Sequence, residues 1–185
     1  MYEPKPKSMA CSVRRPMLAA ALAATAVAPV PAIAAVDVFL KLDDVAGESQ
    51  DSNHKAWVDT QSFDWGVSMV LSQGSGTPTG KSMCSPFTIT KSVDKSSPTL
   101  FAAAAIGQHF QKAQIDVQKH DGNGVVFLKY ELQDVFVTSV ADASDQGSSP
   151  TENVTLNYGQ IKTTYKAQNP DGTFTDGISG AASCR

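Results

Sequence analysis

The chain has 185 residues and a formal net charge of −3, and hydrophobic residues make up 42% of it against 18% charged residues. This composition predicts one folded domain of ordinary size and excludes both a disordered chain and two full domains. The charge is uneven, because residues 1–35 carry a net of +3 while residues 36–185 hold 11 basic and 17 acidic groups. An acidic body argues against nucleic-acid binding, which needs cationic side chains that neutralise phosphates.

The first 34 residues have the pattern of a targeting segment. Arg14 and Arg15 precede an apolar run at 17–28, and a small-residue cleavage pattern follows at Ala32, Ala34 and Ala35. The run is shorter than the roughly 20 residues that span a bilayer, so no stable membrane anchor is predicted. The alternative is a misassigned start, with translation beginning downstream. We therefore predict a signal-peptide-like or misassigned leader over 1–34 and a single domain over 35–185.

Alternating apolar and polar residues predict strands in the first half of the body. Residues 36–43 alternate well apart from Phe39, and residues 57–71 favour one or two strands with a kink near Gly66. Alternation resumes at 87–91. The segment 72–85 between them is rich in glycine and serine, so we predict a projecting loop without a packed element.

One helix is predicted, from Pro98 to about Ile106. Ser97 precedes it as a candidate N-cap, Pro98 suits the first helical position, and Gly107 can end the helix in the left-handed conformation. His109 is then expected just past the helix end, where it can meet free carbonyl groups.

The second half of the body is predicted to be strands again. We expect strands at 113–119 and 125–140 around a hairpin turn at 121–124, then a polar loop at 141–153. A last strand at 154–165 changes phase near Gly159, which suggests a β-bulge. Many strands and one helix predict a mainly β fold, a two-sheet β-barrel or sandwich with one flanking α-helix.

No arrangement of residues predicts catalysis, a metal site or a cofactor. The three histidines are separated by 55 and 11 residues, which is not a ligand spacing, and no nucleophile elbow or phosphate-binding glycine loop occurs. We therefore predict that the protein is not an enzyme. A secreted hydrolase remains an alternative, because sequence does not give the geometry of acidic residues such as Asp43, Asp44 and Glu48.

Two cysteines lie in the body, Cys84 and Cys184. In an oxidising compartment they could pair as a redox pair and close a loop of about 100 residues. The alternative is two unpaired thiols, and two cysteines alone do not make a disulfide framework.

Several segments together resemble the Hcp family, the ring-forming tube protein of bacterial type VI secretion systems. The similar segments follow in order along the chain: 35–41 (AVDVFLK) with 47–49 (GES), 63–68 (FDWGVS), 87–91 (FTITK) with 94–100 (DKSSPTL), and 151–158 (TENVTLNY). No single motif carries the resemblance alone, and it extends from about residue 35 to 166.

The resemblance implies a barrel whose copies form a homohexameric ring, and rings that stack into a tube inside a contractile sheath. The further partners that it implies are spike proteins and small effectors carried in the tube, with assembly in the cytoplasm and secretion by the type VI system. The ring-to-ring contact of the family falls on the segment 72–85. The resemblance therefore assigns ring stacking to Gly74, Ser75, Gly76, Thr77, Pro78, Thr79, Gly80 and Lys81.

Two further expectations concern the cysteines and the leader. Cys84 and Cys184 could cross-link adjacent rings under oxidation. The leader is not explained by the resemblance, because a real signal peptide would send the chain to the periplasm. The alternative function is therefore an exported periplasmic binding module of the same fold that is not assembled into a tube.

Overall fold

The computed structural model describes residues 35–72, 79–120 and 124–184, and the leader lies outside this range. These residues form eleven strands and one helix. In chain order they are β1 Val36–Leu42, β2 Val58–Thr60, β3 Ser62–Asp64, β4 Val67–Ser72, β5 Thr79–Cys84, β6 Phe87–Ser92, α1 Ser97–Ile106, β7 His109–Lys119, β8 Val126–Ala143, β9 Thr151–Asn157, β10 Gln160–Tyr165 and β11 Ile178–Ser183.

Nine strands form one antiparallel sheet. Seven of them follow the path β2-β1-β7-β8-β9-β6-β3, while β10 pairs with β8, and β11 pairs with β10. The two ends of this path, β2 and β3, are separated in sequence only by Gln61, whose backbone N–H donates to the carbonyl oxygen of Thr90 on β6. One short segment of chain therefore borders both ends of the sheet. This arrangement, with a single flanking helix, confirms the predicted mainly β barrel or sandwich.

The long strand β8 joins the two halves of the barrel. Its first half pairs with β7 and β10, and its second half pairs with β9. Asp134 lies where β8 passes from pairing with β10 to pairing with β9, and it has a positive φ of 56°. The register with β9 shifts between Val137 and Ser139. The predicted bent strand is present, but it extends to Ala143 into the segment predicted as a loop.

The residues 154–165 are divided between β9 and β10, and both strands pair with β8. The predicted interruption near Gly159 is therefore a break between two strands rather than a bulge within one. Gly159 is buried there, and its N–H donates to the carbonyl oxygen of Gln133.

Aromatic and aliphatic side chains fill the barrel. Phe87 on β6 is fully buried, and the rings of Phe63, Trp65 and Tyr130 surround it with centroids 5.6 to 6.4 Å from its own. Alternation on β1 buries Val38, Leu40 and Leu42 as predicted, and Phe39 is buried as well, against His54.

The helix α1 covers one side of the barrel and buries Leu100 and Ala103. Gly107 ends it in the left-handed conformation, at φ 65°, as predicted. The prediction that Ser97 is the N-cap is wrong: Ser96 holds that position without a side-chain capping hydrogen bond, and Ser97 is already helical. The Ser97 hydroxyl instead donates to a buried carboxylate, Glu152.

Candidate assembly surface

The strands β4 and β5 form a separate two-stranded sheet, the hairpin arm, defined as residues 67–72 and 79–84. Their pairing runs from Val67 opposite Cys84 to Ser72 opposite Thr79. Part of the segment predicted as a loop is therefore a strand, because backbone pairing with β4 orders residues of low strand propensity. That part of the prediction is wrong.

The structure describes only three of the eight residues assigned to ring stacking. Thr79, Gly80 and Lys81 belong to β5 and pair with Ser72, Leu71 and Val70. The remaining five lie outside the described residues, namely Gly74, Ser75, Gly76, Thr77 and Pro78.

Apolar side chains of the arm face the solvent. Val67, Met69, Val70 and Met83 are 52%, 64%, 54% and 54% exposed. They come from both faces of the two-stranded sheet, since Met69 and Val70 are consecutive. An isolated hairpin is marginally stable in water, and exposed apolar clusters mark contact surfaces. The arm therefore has the character of a surface that is covered in an assembly.

Three contacts hold the base of the arm to the barrel. Cys84, the last residue of β5, forms a disulfide with Cys184, directly after β11, and their Cα atoms are 5.3 Å apart. Beside it, the Ser82 hydroxyl donates to the Ser183 carbonyl oxygen over 2.9 Å. The Tyr158 hydroxyl donates to the Ser85 carbonyl oxygen. The Ser85 N–H donates to the Gly66 carbonyl oxygen, which continues the hairpin's own pairing.

The strand β11 is a second exposed feature. It pairs with β10 along six residues, and its other edge has no strand partner in the part of the chain that is described. Its side chains are small apart from Ile178, which is 78% exposed. Unpaired backbone groups on such an edge can accept a further strand.

A buried charged cluster fixes the start of α1 on the barrel. The Lys91 ammonium contacts Glu152 Oε2 at 2.8 Å, Asp94 Oδ1 at 2.9 Å and Ser97 Oγ at 3.0 Å. Burial raises the pKa of Asp94, but hydrogen bonds from Ser96 and Lys91 outweigh this effect and hold it below its ordinary value. These groups are satisfied within the cluster, which favours a structural role.

His54 lies in a second polar cluster that sequence reasoning missed. The ring is 2% exposed, with Nδ1 2.8 Å from Asp51 Oδ1 and Nε2 3.1 Å from Asp116 Oδ2. Burial opposes the ionised form of Asp51, yet hydrogen bonds from Gln118, His54 and two backbone N–H groups lower its pKa to about 2. The short i,i+3 spacing of Asp51 and His54 was a signal in the sequence for their contact. Asp116 is 62 residues from His54, so no local pattern indicated that contact.

The other candidate residues lie apart from one another. His109 lies just past the helix end, as expected, and is the first residue of β7, with Nε2 3.6 Å from Asp134 Oδ1. His120 contacts Asp37 at 2.8 Å, and this hydrogen bond raises the pKa of His120. Of the acidic candidates, Asp43 and Asp44 are exposed in the turn after β1, and Glu48 accepts a hydrogen bond from the Lys95 N–H.

Two kinds of feature, a metal-binding group and a membrane-spanning helix, are absent from the described residues. Within them, no group of three or more His, Cys, Asp or Glu side chains is placed to hold a metal ion. In the same part of the chain, no helix has the length and apolar character needed to cross a membrane.

Comparison with known proteins identifies relatives. Residues 39–165 match the family described as type VI secretion system effector, Hcp. Protein hcp1 of Pseudomonas aeruginosa is 37% identical over 147 residues, covering 77% of this chain and 91% of that protein. The major exported protein of the same organism is 28% identical over 140 residues, covering 71% and 81%.

Solved structures agree with this comparison. A structure described as a type six secretion system protein superimposes with a TM-score of 0.73 at 32% identity, covering 80% of this chain and 93% of that one. Hcp1 from Salmonella typhimurium gives a TM-score of 0.63 at 26% identity, covering 81% and 95%.

Proposed function

Because this chain belongs to the Hcp family of type VI secretion system proteins, we propose that it is a structural tube subunit. Six copies form a ring, rings stack into a tube, and the tube is expelled with small effectors in its lumen. The sheath and spike proteins of the same system are its further partners. The role is structural, without a catalytic step.

The observation that carries the proposal is the hairpin arm. Four large apolar side chains on both faces of a two-stranded sheet are exposed in the single chain. Burying them against a second ring removes this apolar area from water, which stabilises the contact. We assign ring stacking to the arm together with the residues Gly74 to Lys81, of which 74–78 lie outside the described part of the chain.

The open edge of β11 supports ring closure. A strand edge of one copy that contacts a different surface of the next copy makes a heterologous interface, and such an interface closes into a ring when the rotation permits. The small side chains Gly180, Ala181 and Ala182 allow close approach of a neighbouring backbone.

Light scattering coupled to size-exclusion chromatography of the purified protein tests the proposal, with electron microscopy of the same fractions. We expect a mass six times that of the chain, six-fold rings and, at higher concentration, stacks. A strict monomer at every concentration would contradict it.

A second function is favoured by the disulfide. Disulfides persist in oxidising compartments, and the leader has a signal-like pattern. The chain would then be an exported periplasmic binding module with the same barrel. N-terminal sequencing of the native protein separates the two functions. A chain cleaved after Ala34 and found in the periplasmic fraction supports the periplasmic module, and a chain with a different N-terminus found in the culture supernatant excludes it.

A further inference from the structure

Apart from its two chain connections, at Gly66 and Ser85, the hairpin arm is joined to the barrel mainly at one point. Its strands pair only with each other among the described residues, and the nine-stranded sheet contains neither of them. The Cys84–Cys184 disulfide connects the last residue of β5 to the residue that follows β11. The bond therefore links two elements that share no backbone ladder.

The noncovalent contacts at the same place are few. The Ser82 hydroxyl donates to the Ser183 carbonyl oxygen, and the Tyr158 hydroxyl donates to the carbonyl oxygen of Ser85. The exposed apolar side chains of the arm do not pack into the barrel. A two-stranded hairpin held by so few contacts is expected to move, because it is marginally stable alone.

We propose that the Cys84–Cys184 disulfide is a redox-sensitive tether that fixes the hairpin arm against β11, and that its reduction frees the arm while the barrel stays folded. Both cysteines are half-buried rather than enclosed in the core. The arm is therefore fixed in an oxidising compartment and free to move in a reducing one.

The chemistry is a thiol–disulfide exchange. In closing, the two thiols lose two protons and two electrons to a small-molecule disulfide such as oxidised glutathione, which becomes two thiols. In opening, a small thiolate attacks one sulfur, which breaks the Cys84–Cys184 bond, forms a mixed disulfide and releases the other cysteine as a thiolate. A second small thiolate then attacks the mixed disulfide, which releases the first cysteine and leaves a small-molecule disulfide. The cytosol favours the open form, and an oxidising space favours the closed form.

The consequence for assembly rests on the proposed function. If the arm contacts the next ring, the tether sets the orientation in which Met69 and Met83 meet that ring. The movement of the arm itself does not depend on ring formation, so it can be tested separately.

Methyl NMR of the full chain tests the tether. The variant Cys11→Ser removes the remaining thiol, and labelled methyl groups of Met69 and Met83 report on the arm. Fully buried Ile89 and Ile115 report on the barrel. After reduction with dithiothreitol, we expect the order parameters of the two methionine methyls to fall about twofold while those of the isoleucines stay unchanged.

Controls distinguish the tether from other effects. The variant Cys84→Ser/Cys184→Ser should match the reduced protein and ignore the reductant, and Ser82→Ala should keep the response to reductant. Equal methionine order parameters in both redox states, or an equal change at Ile115, would overturn the proposal. A monomer with a redox-dependent arm would refute ring assembly alone, and rings with a redox-independent arm would refute the tether alone.

Discussion

Lys91 and Glu152 lie directly opposite each other on the paired strands β6 and β9, with Nζ 2.8 Å from Oε2, and their side chains are 0% and 1% exposed. The same ammonium reaches Ser97 in the first turn of α1 and Asp94 in the preceding turn. One buried cation therefore joins two strands and the start of the helix. Such a pair is costly to break, because the remaining charge stays buried without its partner.

We predict that Lys91→Met lowers the free energy of unfolding by about 3 to 5 kcal/mol. The cause is the Glu152 carboxylate, which would remain buried with the Ser97 hydroxyl as its remaining hydrogen-bond donor. Urea unfolding followed by circular dichroism measures the change.

The exposed pair Lys162 and Glu131 provides the matched control. Its atoms are 3.4 Å apart, and its side chains are 53% and 44% exposed. Lys162→Met should cost less than about 1 kcal/mol. The double variant Lys91→Met/Glu152→Leu should recover much of the lost stability. Equal costs for Lys91→Met and Lys162→Met would show that the buried pair has no special role.

Asp51 predicts a pH dependence of stability. Its pKa is lowered to about 2 in the fold despite the opposing effect of burial, against about 3.9 in the unfolded chain. A lowered pKa contributes stability that is fully present above the unfolded value and lost as the pH falls toward the folded one. We expect Asp51→Asn to be less stable than wild type at neutral pH. That difference should shrink between about pH 4 and about pH 2 in denaturant titrations; a constant difference across that window would contradict the assignment.

Gly47 is predicted to tolerate no side chain. A Cβ atom there would lie 2.1 Å from the carbonyl oxygen of Trp57, in backbone that cannot move aside. We expect Gly47→Ala to destabilise the protein by about 3 kcal/mol, the upper end of the usual cost of overpacking, in thermal and urea unfolding. Gly107→Ala is the control, since its positive φ carries a cost of about 1 kcal/mol but nothing lies within 4 Å. A milder effect at Gly47 than at Gly107 would refute the prediction.

Local patterns carried much of the fold. Alternation predicted β1, a strand was expected at 113–119, which is the second part of β7, and the sequence around Pro98 and Gly107 predicted the helix. The pairing of β7 with β8 also followed from a local signal, the predicted hairpin turn at 121–124, although residues 121–123 lie outside the described part of the chain. These features depend on residues that are close in sequence.

The missed features depend on long-range contacts. His54 meets Asp116 across 62 residues, and Lys91 meets Glu152 across 61. Alternation places Lys91 in phase with Phe87 and Ile89, and Glu152 in phase with Val154 and Leu156, but it does not identify the partner of either charge, because that partner lies on another strand. The strand β5 was missed for a related reason: its sequence TGKSMC has weak propensity and is ordered by β4.

The exposed arm gives the most direct prediction about function. A carboxylate at Met69, which is 64% exposed on β4, would have to lose its hydration in any ring-to-ring contact, and this loss is unfavourable. We expect Met69→Asp to leave the fold and the single rings intact and to abolish stacks, measured by electron microscopy and by light scattering across a concentration series. Ile106→Asp on α1 is the matched control, because Ile106 is 75% exposed and lies outside the arm. Stacks that form equally well with Met69→Asp, or that are lost equally with Ile106→Asp, would exclude the arm as the specific stacking surface.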